Sequence, residues 1–329
     1  MNKISFWLNN ARKTALPQSM LPAVLAVCMA FGTDEFEWTP ALLSVLGVLL
    51  AHLGMNLFDD YFDFLKKGTG IRTELDNAGI RARLAKCDYL LSGKVNIKQL
   101  RTVALGLCLS ALTLGLIITL YQGLNTLWFM LIAGFLGISY SGLPFRFSYH
   151  GGGELLVGIL FGPLLMGGVY FASCGTLTPG IWLVSVPVGM LVANILFSHS
   201  IMDYEPDKRI HKMTLAVIMN GNRTAMLTAS GLFTFVPFIF IGFGVWNGYL
   251  PLSYLIVLLT LPMAVSLFYL LYRYVRNPKD SFSPRWWMGP MENWGRIQQA
   301  GIDWFMIRWL LSRNLLSFFC LLLLIVSFF

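Results

Sequence analysis

The chain has 329 residues, 56% of them hydrophobic and 12% charged, with a net charge of +8. A soluble domain carries about a quarter charged residues, so this composition excludes an ordinary water-soluble globule and points to a membrane protein. Five cysteines without paired spacing exclude a disulfide framework and a zinc site. No nucleic-acid partner is expected.

Apolar runs of the roughly 20 residues needed to cross a bilayer recur along the chain. In order they are predicted near 15–32, 40–63, 98–120, 124–142, 152–172, 179–201, 223–245, 249–273 and 309–329. The first run is too long for a signal peptide and lacks a small-residue cleavage site, so no cleavable leader is expected. The fold class expected is all-α: a polytopic membrane protein with about nine transmembrane helices, arranged as two parallel four-helix repeats plus one helix.

With nine spans, the N-terminus and every second loop share one side, and every Lys and Arg falls there. They are Lys3, Arg12 and Lys13; nine from Lys66 to Arg101; Arg146; Lys208, Arg209, Lys212 and Arg223; and seven from Arg273 to Arg313. The opposite loops hold none, and 33–39 carries Asp34, Glu35 and Glu37. By the positive-inside rule the N-terminus is cytoplasmic and the C-terminus lies on the opposite side, in a bacterial cytoplasmic membrane. The +8 then describes a surface against anionic lipid and, beyond that, an anionic substrate.

One membrane domain, 1–329, is expected, with cytoplasmic loops at 64–97 and 202–222. The segment 274–308 holds Trp286, Trp287, Trp294 and Trp304 beside Arg285, Arg296 and Arg308, which suggests an interfacial anchor in the lipid headgroups. His52 and His199 fall within spans and read as hydrogen-bonded packing residues.

The second helix of each four-span set ends in carboxylates: Asp59, Asp60 and Asp63, then Asp203, Glu205 and Asp207. Offsets of four and seven put Asn56, Asp60 and Asp63 on one helical face, with Asp59 at its edge. Asp203 and Asp207 lie one turn apart if the helix continues past Pro206. A charge deep in hydrocarbon costs about 2.5–3.5 kcal/mol, less near the interface, and neighbouring acids repel. One reading makes these solvated helix ends, paired with Lys66, Lys67 or Lys208. The other neutralises them with cations. Oxygen donors without His or Cys select hard cations, and Mg²⁺ uses one or two carboxylates plus phosphate oxygens. Two facing clusters with basic residues nearby would grip a diphosphate through Mg²⁺.

Asn56-x-x-x-Asp60-x-x-Asp63 followed by Lys66-Lys67-Gly68-Thr69 resembles the first Asp-rich motif of the UbiA superfamily of intramembrane prenyltransferases. Asp203-x-x-x-Asp207 followed by Lys212-Met213-Thr214-Leu215-Ala216-Val217 resembles the second. Within the superfamily the sequence is most similar to the 1,4-dihydroxy-2-naphthoate polyprenyltransferases of menaquinone biosynthesis. That likeness rests on Asp60-Tyr61-Phe62-Asp63-Phe64, on Tyr140-Ser141-Gly142-Leu143-Pro144 through Phe161-Gly162-Pro163, and on Arg12-Lys13-Thr14-Ala15-Leu16-Pro17. The chain departs from that family at Ser200 and Met202, at the inserted Leu65 and at Gly70.

The resemblance implies a fold of nine helices around a central cavity, with cytoplasmic cap loops at 64–97 and 202–222. It implies Mg²⁺-dependent transfer of a prenyl group from a polyprenyl diphosphate to a small aromatic acceptor, with release of diphosphate. It implies that Asn56, Asp60, Asp63, Asp203 and Asp207 hold the Mg²⁺–diphosphate. Lys66, Lys67, Lys212 and Arg146 are candidates for diphosphate contact. Tyr140, Ser141 and Tyr149 are candidates for the acceptor or for stabilising a cation, against a packing role for each, and Glu154 either orients the acceptor or caps its helix. Two alternatives stay open: a family member with a hydroxybenzoate, haem or chlorophyll precursor, or glycerol phosphate acceptor, and a cation-coupled secondary transporter.

Overall fold

The computed structural model describes residues 2–65, 87–278 and 280–327. The expected diphosphate contacts Lys66 and Lys67 lie outside the described residues. Among the described residues nine apolar helices follow the nine expected runs: α1 (Pro17–Phe31), α2 (Trp38–Leu65), α3 (Ile97–Gln122), α4 (Asn125–Ser141), α5 (Gly153–Cys174), α6 (Pro179–Met202), α7 (Arg223–Trp246), α8 (Leu252–Arg276) and α9 (Asp303–Val326). Seven are long and apolar enough to cross a membrane; α1 and α4 are shorter. Among the described residues there are no strands beyond one isolated bridge, between His150 and Met213.

Local chemistry sets the helix ends. Asn96 and Gln99 form a reciprocal capping box at the start of α3, with Gln99 N donating to Asn96 Oδ1 at 2.8 Å and Asn96 N to Gln99 Oε1 at 3.0 Å. Asn222 caps α7 by accepting from Ala225 N. Pro17 and Pro179 sit in the first turns of α1 and α6, where a missing N–H costs nothing. Pro163 lies inside α5, and the helix widens there into a π turn over Leu160–Leu164, which accommodates the ring and the lost donor.

α6 is the most enclosed span. It packs on α5 through glycines: a Cβ on Gly189 would lie 2.4 Å from the Gly158 carbonyl oxygen, and one on Gly162 2.4 Å from that of Ser185. Small residues let two spans approach to backbone contact, which brings the start of α5 beside the end of α6. Gly189→Ala is therefore expected to cost about 1–3 kcal/mol by overpacking, read as a lowered thermal midpoint in detergent. Gly106→Ala in α3, where a Cβ would meet nothing within 4 Å, should be neutral or slightly stabilising. Equal midpoints for the two variants would refute the close approach.

On the outer surface Leu232, Ile239, Phe243 and Leu259 are exposed, as an integral membrane protein presents to acyl chains. α9 starts at Asp303, earlier than the expected run at 309, so Trp304 and Arg308 belong to a helix. Arg308 is fully buried: its Nε donates to the Leu270 carbonyl at 2.9 Å and its guanidinium lies 5.1 Å from the Tyr274 ring. This arginine pins α9 to α8. The intervening segment folds back on them, with Asn314 Nδ2 donating to the Met288 and Pro290 carbonyls and Trp287 Nε1 to Ser266. Trp286 is left exposed.

Candidate active site

Both aspartate clusters open onto one cavity of about 920 Å³, enclosed mainly by α2–α6. Asn56, Asp59 and Asp63 line it from α2, and Asp203, Asp207 and Lys212 from the end of α6 and the residues that follow. Tyr140, Ser141, Glu154 and His199 complete its polar end. Below them the wall is apolar, with Leu109, Leu112, Ile118, Phe129 and Leu164.

In the first cluster the facing differs from the expected one. Asp59 and Asp63 line the cavity, whereas Asp60 is 3% exposed and turned toward the N-terminal segment. The helix Lys3–Asn10 is followed by Arg12, at a left-handed φ of 58°, and this turn brings its guanidinium to both neighbouring acids. Arg12 Nη2 donates to Asp59 Oδ2 at 2.9 Å and also to Asp60 Oδ1. Tyr89 OH donates to the other Asp60 oxygen at 3.1 Å, and Asn56 Nδ2 donates to the Ala11 carbonyl at 2.9 Å. Burial and then the Asp60 charge raise the Tyr89 pKa, so the phenol stays a donor. Burial alone would lower the Arg12 pKa; Asp60 and Asp59 outweigh it and raise it. Neither Arg12 nor Tyr89 stood out as a partner of these acids in the sequence, because they come to α2 from 47 and 29 residues away.

In the second cluster α6 ends at Met202 and Asp203 is its C-cap. Pro206 falls inside a new short helix, Tyr204–Arg209, in which Asp207 N donates to the Asp203 carbonyl at 2.9 Å, so the two acids do lie one turn apart. They are 6% and 4% exposed, which excludes solvated helix ends. His199 Nδ1 lies 3.0 Å from Asp203 Oδ2, and Lys212 Nζ 3.9 Å from Asp207 Oδ1. The i to i+4 spacing of His199 and Asp203 was the available signal for that contact. Glu205 is exposed, and Lys208 reaches Tyr204 at 3.4 Å.

The turn between α4 and α5 ties the clusters together. Ser141 Oγ donates to Asp59, and Tyr149 OH to Asp63 Oδ1 at 2.7 Å. The Tyr149 carbonyl accepts from Met213 N at 3.2 Å, and Glu154 Oε1 from Leu215 N at 3.0 Å, at the head of the short helix Leu215–Ile218. Tyr149 and Glu154 thus position the loop that carries Lys212. Arg146 is half-buried before the short helix Phe147–His150 and is not among the lining residues.

Among the described residues no three His, Cys, Asp or Glu side chains converge as a ready-made metal centre. The oxygen donors line the cavity as two half-sites instead, one from α2 and one from the end of α6. That set fits Mg²⁺, which keeps only one or two carboxylates and completes its shell from phosphate oxygens and water. A diphosphate between the half-sites would supply those oxygens.

The sequence profile of the UbiA prenyltransferase family matches residues 19–289. The chain is 28% identical to the 1,4-dihydroxy-2-naphthoate octaprenyltransferase of Mycobacterium tuberculosis, over 72% of this chain and 79% of that one. It is 26% identical to the 2-carboxy-1,4-naphthoquinone phytyltransferase of Synechocystis, over 79% and 80%. Among solved structures it resembles a digeranylgeranylglyceryl phosphate synthase (TM-score 0.61, 14% identity, 100% of this chain and 99% of that one). It also resembles a UbiA homologue from Archaeoglobus fulgidus bound to DMAPP and Mg²⁺ (TM-score 0.59, 15% identity, 97% and 99%). At these identities the two structures speak for the fold.

Proposed function

The chain belongs to the UbiA prenyltransferase family, and from that premise we propose that it transfers a polyprenyl group from its diphosphate to 1,4-dihydroxy-2-naphthoate, with Mg²⁺. The observation that carries this reading is the shared cavity: two carboxylate half-sites at one end, half-buried on α2 and buried after α6, and an apolar chamber beneath them. The names of the relatives favour the naphthoate over other acceptors. As a prenyltransferase the chain is an enzyme, which replaces the transporter alternative.

Asn56, Asp59 and Asp63 hold one side of the Mg²⁺–diphosphate and Asp203 and Asp207 the other. Asp60 serves the first side through Arg12. Bound Mg²⁺ supplies charge neutralisation for the departing diphosphate. Lys212 adds a positive charge at the same end. Ser141 and Tyr149 spend their protons on Asp59 and Asp63, fixing those carboxylates before substrate arrives, which removes reorganisation from the reaction. The apolar wall takes the polyprenyl tail and keeps water from the allylic carbon. Tyr140, at the boundary between the two regions, offers an aromatic face to developing positive charge. We also place the cluster end and the N-terminus on the cytoplasmic side, supported by the one-sided distribution of Lys and Arg, and segment 277–302 at the headgroups, supported by the exposure of Trp286.

Purified protein in nanodiscs, given Mg²⁺, a polyprenyl diphosphate and a panel of naphthoate, benzoate and glycerol phosphate acceptors, should yield the prenylated naphthol product by mass. Chelation with EDTA should abolish it, and added Mg²⁺ restore it. A product with the benzoate or glycerol phosphate alone would overturn the acceptor assignment.

A further inference from the structure

Deeper in the cavity lies a polar pair that the carboxylate grip does not use. His52, 8% exposed, lines the cavity two turns below Asp59, about 10 Å along α2. Its ring stands edge-on to Phe161 at 5.3 Å, and its Nδ1 lies 2.6 Å from Ser19 Oγ on α1. The tautomer depends on where the single Ser19 proton lies, since Ser19 Oγ also stands 3.1 Å from the Leu16 carbonyl. With that proton on the carbonyl, the contact to His52 is donated by Nδ1–H. A neutral imidazole has a single N–H, so in this tautomer Nε2 carries a bare lone pair. Among the described residues no hydrogen-bond partner reaches that nitrogen.

What the lone pair needs is a donor. The polyprenyl tail has none, and the diphosphate, itself an acceptor, is held two turns above. An aromatic hydroxyl is a donor. We propose that Nε2 of His52 binds the hydroxyl of the aromatic acceptor and receives its proton during transfer, an inference that rests on the aromatic-acceptor reading above. The separation of about 10 Å along the helix leaves room for the diphosphate, the allylic carbon and one ring in series. As the ester C–O bond breaks, its electron pair leaves on the diphosphate. The ring forms the new C–C bond with its own π electrons while the hydroxyl proton moves to Nε2, giving a dienone. The ring carbon then loses its carboxylate as carbon dioxide, whose bonding pair restores the aromatic ring, and the proton on Nε2 returns to the oxygen. No oxidant or reductant is needed, and His52 ends in its starting state.

The test separates binding from chemistry in the full-length protein in nanodiscs. Acceptor affinity is read from the fluorescence of 1,4-dihydroxy-2-naphthoate and of its methyl ether at the hydroxyl, and turnover is measured with Mg²⁺ and a polyprenyl diphosphate. His52→Phe should weaken acceptor binding by about 10-fold, one hydrogen bond's worth, and lower kcat by about 100-fold, as loss of a proton acceptor does. KM for the prenyl diphosphate should stay within about twofold of wild type, since that substrate is held elsewhere. His52→Gln presents an amide oxygen that accepts a hydrogen bond but not a proton, so it should recover affinity without recovering kcat. Wild type should prefer the free hydroxyl to the methyl ether, and His52→Phe should bind the two alike. Where His52→Phe fails to fold, His52→Gln and Ser19→Ala decide: Ser19→Ala keeps the imidazole but frees its tautomer, and should weaken the acceptor alone.

Variants with wild-type acceptor affinity and kcat, or with equal losses for both substrates, would overturn the role of His52 and leave the assigned reaction standing. Wild-type protein that binds and prenylates no hydroxyaromatic compound would overturn the assigned reaction and this inference together.

Discussion

Asp63→Ala and Asp203→Ala are each expected to lower prenyl transfer by about 10²–10³-fold, the cost of removing one preorganised group from a charge-stabilising site. Each deletes a different half-site: Asp63 lines the cavity from α2 and Asp203 from the end of α6. If diphosphate completes the metal shell between them, either loss should also raise the Mg²⁺ concentration that gives half-maximal rate. Glu205→Ala, at an exposed position in the same segment, should leave both quantities unchanged. Thermal midpoints guard against the trivial explanation. Removing one of two repelling carboxylates relieves charge in the metal-free protein, so neither variant should unfold earlier than wild type by more than a few degrees. Full activity in either would remove that cluster from the site.

The second large effect is on stability. Arg12→Ala should destabilise the protein by about 3 kcal/mol, because it leaves Asp60 charged, enclosed and short of its main partner. Asp60 keeps the Tyr89 hydroxyl at 3.1 Å, but a single neutral donor does not replace a guanidinium. The N-terminal turn would also lose its hold on α2 beyond the Asn56 contact with Ala11. Arg12→Lys restores the charge, but its side chain is shorter than the one that brings a single nitrogen, Nη2, to Asp59 and Asp60, and it should recover only part of the loss. Thermal unfolding in detergent measures the series. A pairing test uses Asp60→Asn: if the cost of Arg12→Ala is the abandoned charge, it should shrink markedly in that background. An undiminished cost would show that Arg12 acts through packing alone.

The nine helices were legible because hydropathy reports a transfer free energy that each segment carries by itself. The same holds for the end of α6, where Pro206 was compatible with a new first turn and Asp203 and Asp207 stayed one turn apart. The first cluster shows the limit. At about 100° per residue, Asp63 lies about 20° from Asn56, with Asp60 about 40° to one side and Asp59 about 60° to the other. Periodicity places both on flanks of one stripe and cannot choose which flank meets the cavity. Arg12, Tyr89 and Ser141, from three distant segments, make that choice: Arg12 reaches both acids, Tyr89 holds Asp60, and Ser141 turns Asp59 to the cavity. Arg308 was misplaced for a related reason. A lone arginine beside tryptophans reads as a headgroup anchor, and only the packing of α8 against α9 supplies the carbonyls and ring that let it be buried.

The sequence by itself thus determined the helices and the two carboxylate clusters, since these follow from residue type and spacing along one chain. The tertiary structure decided that both clusters share one cavity, that Asp59 rather than Asp60 lines it, and that the 141–154 turn links its two sides. It also brought Ser19 of α1 to within 2.6 Å of His52 on α2. These properties belong to contacts between segments far apart in the chain, and no local free energy encodes them.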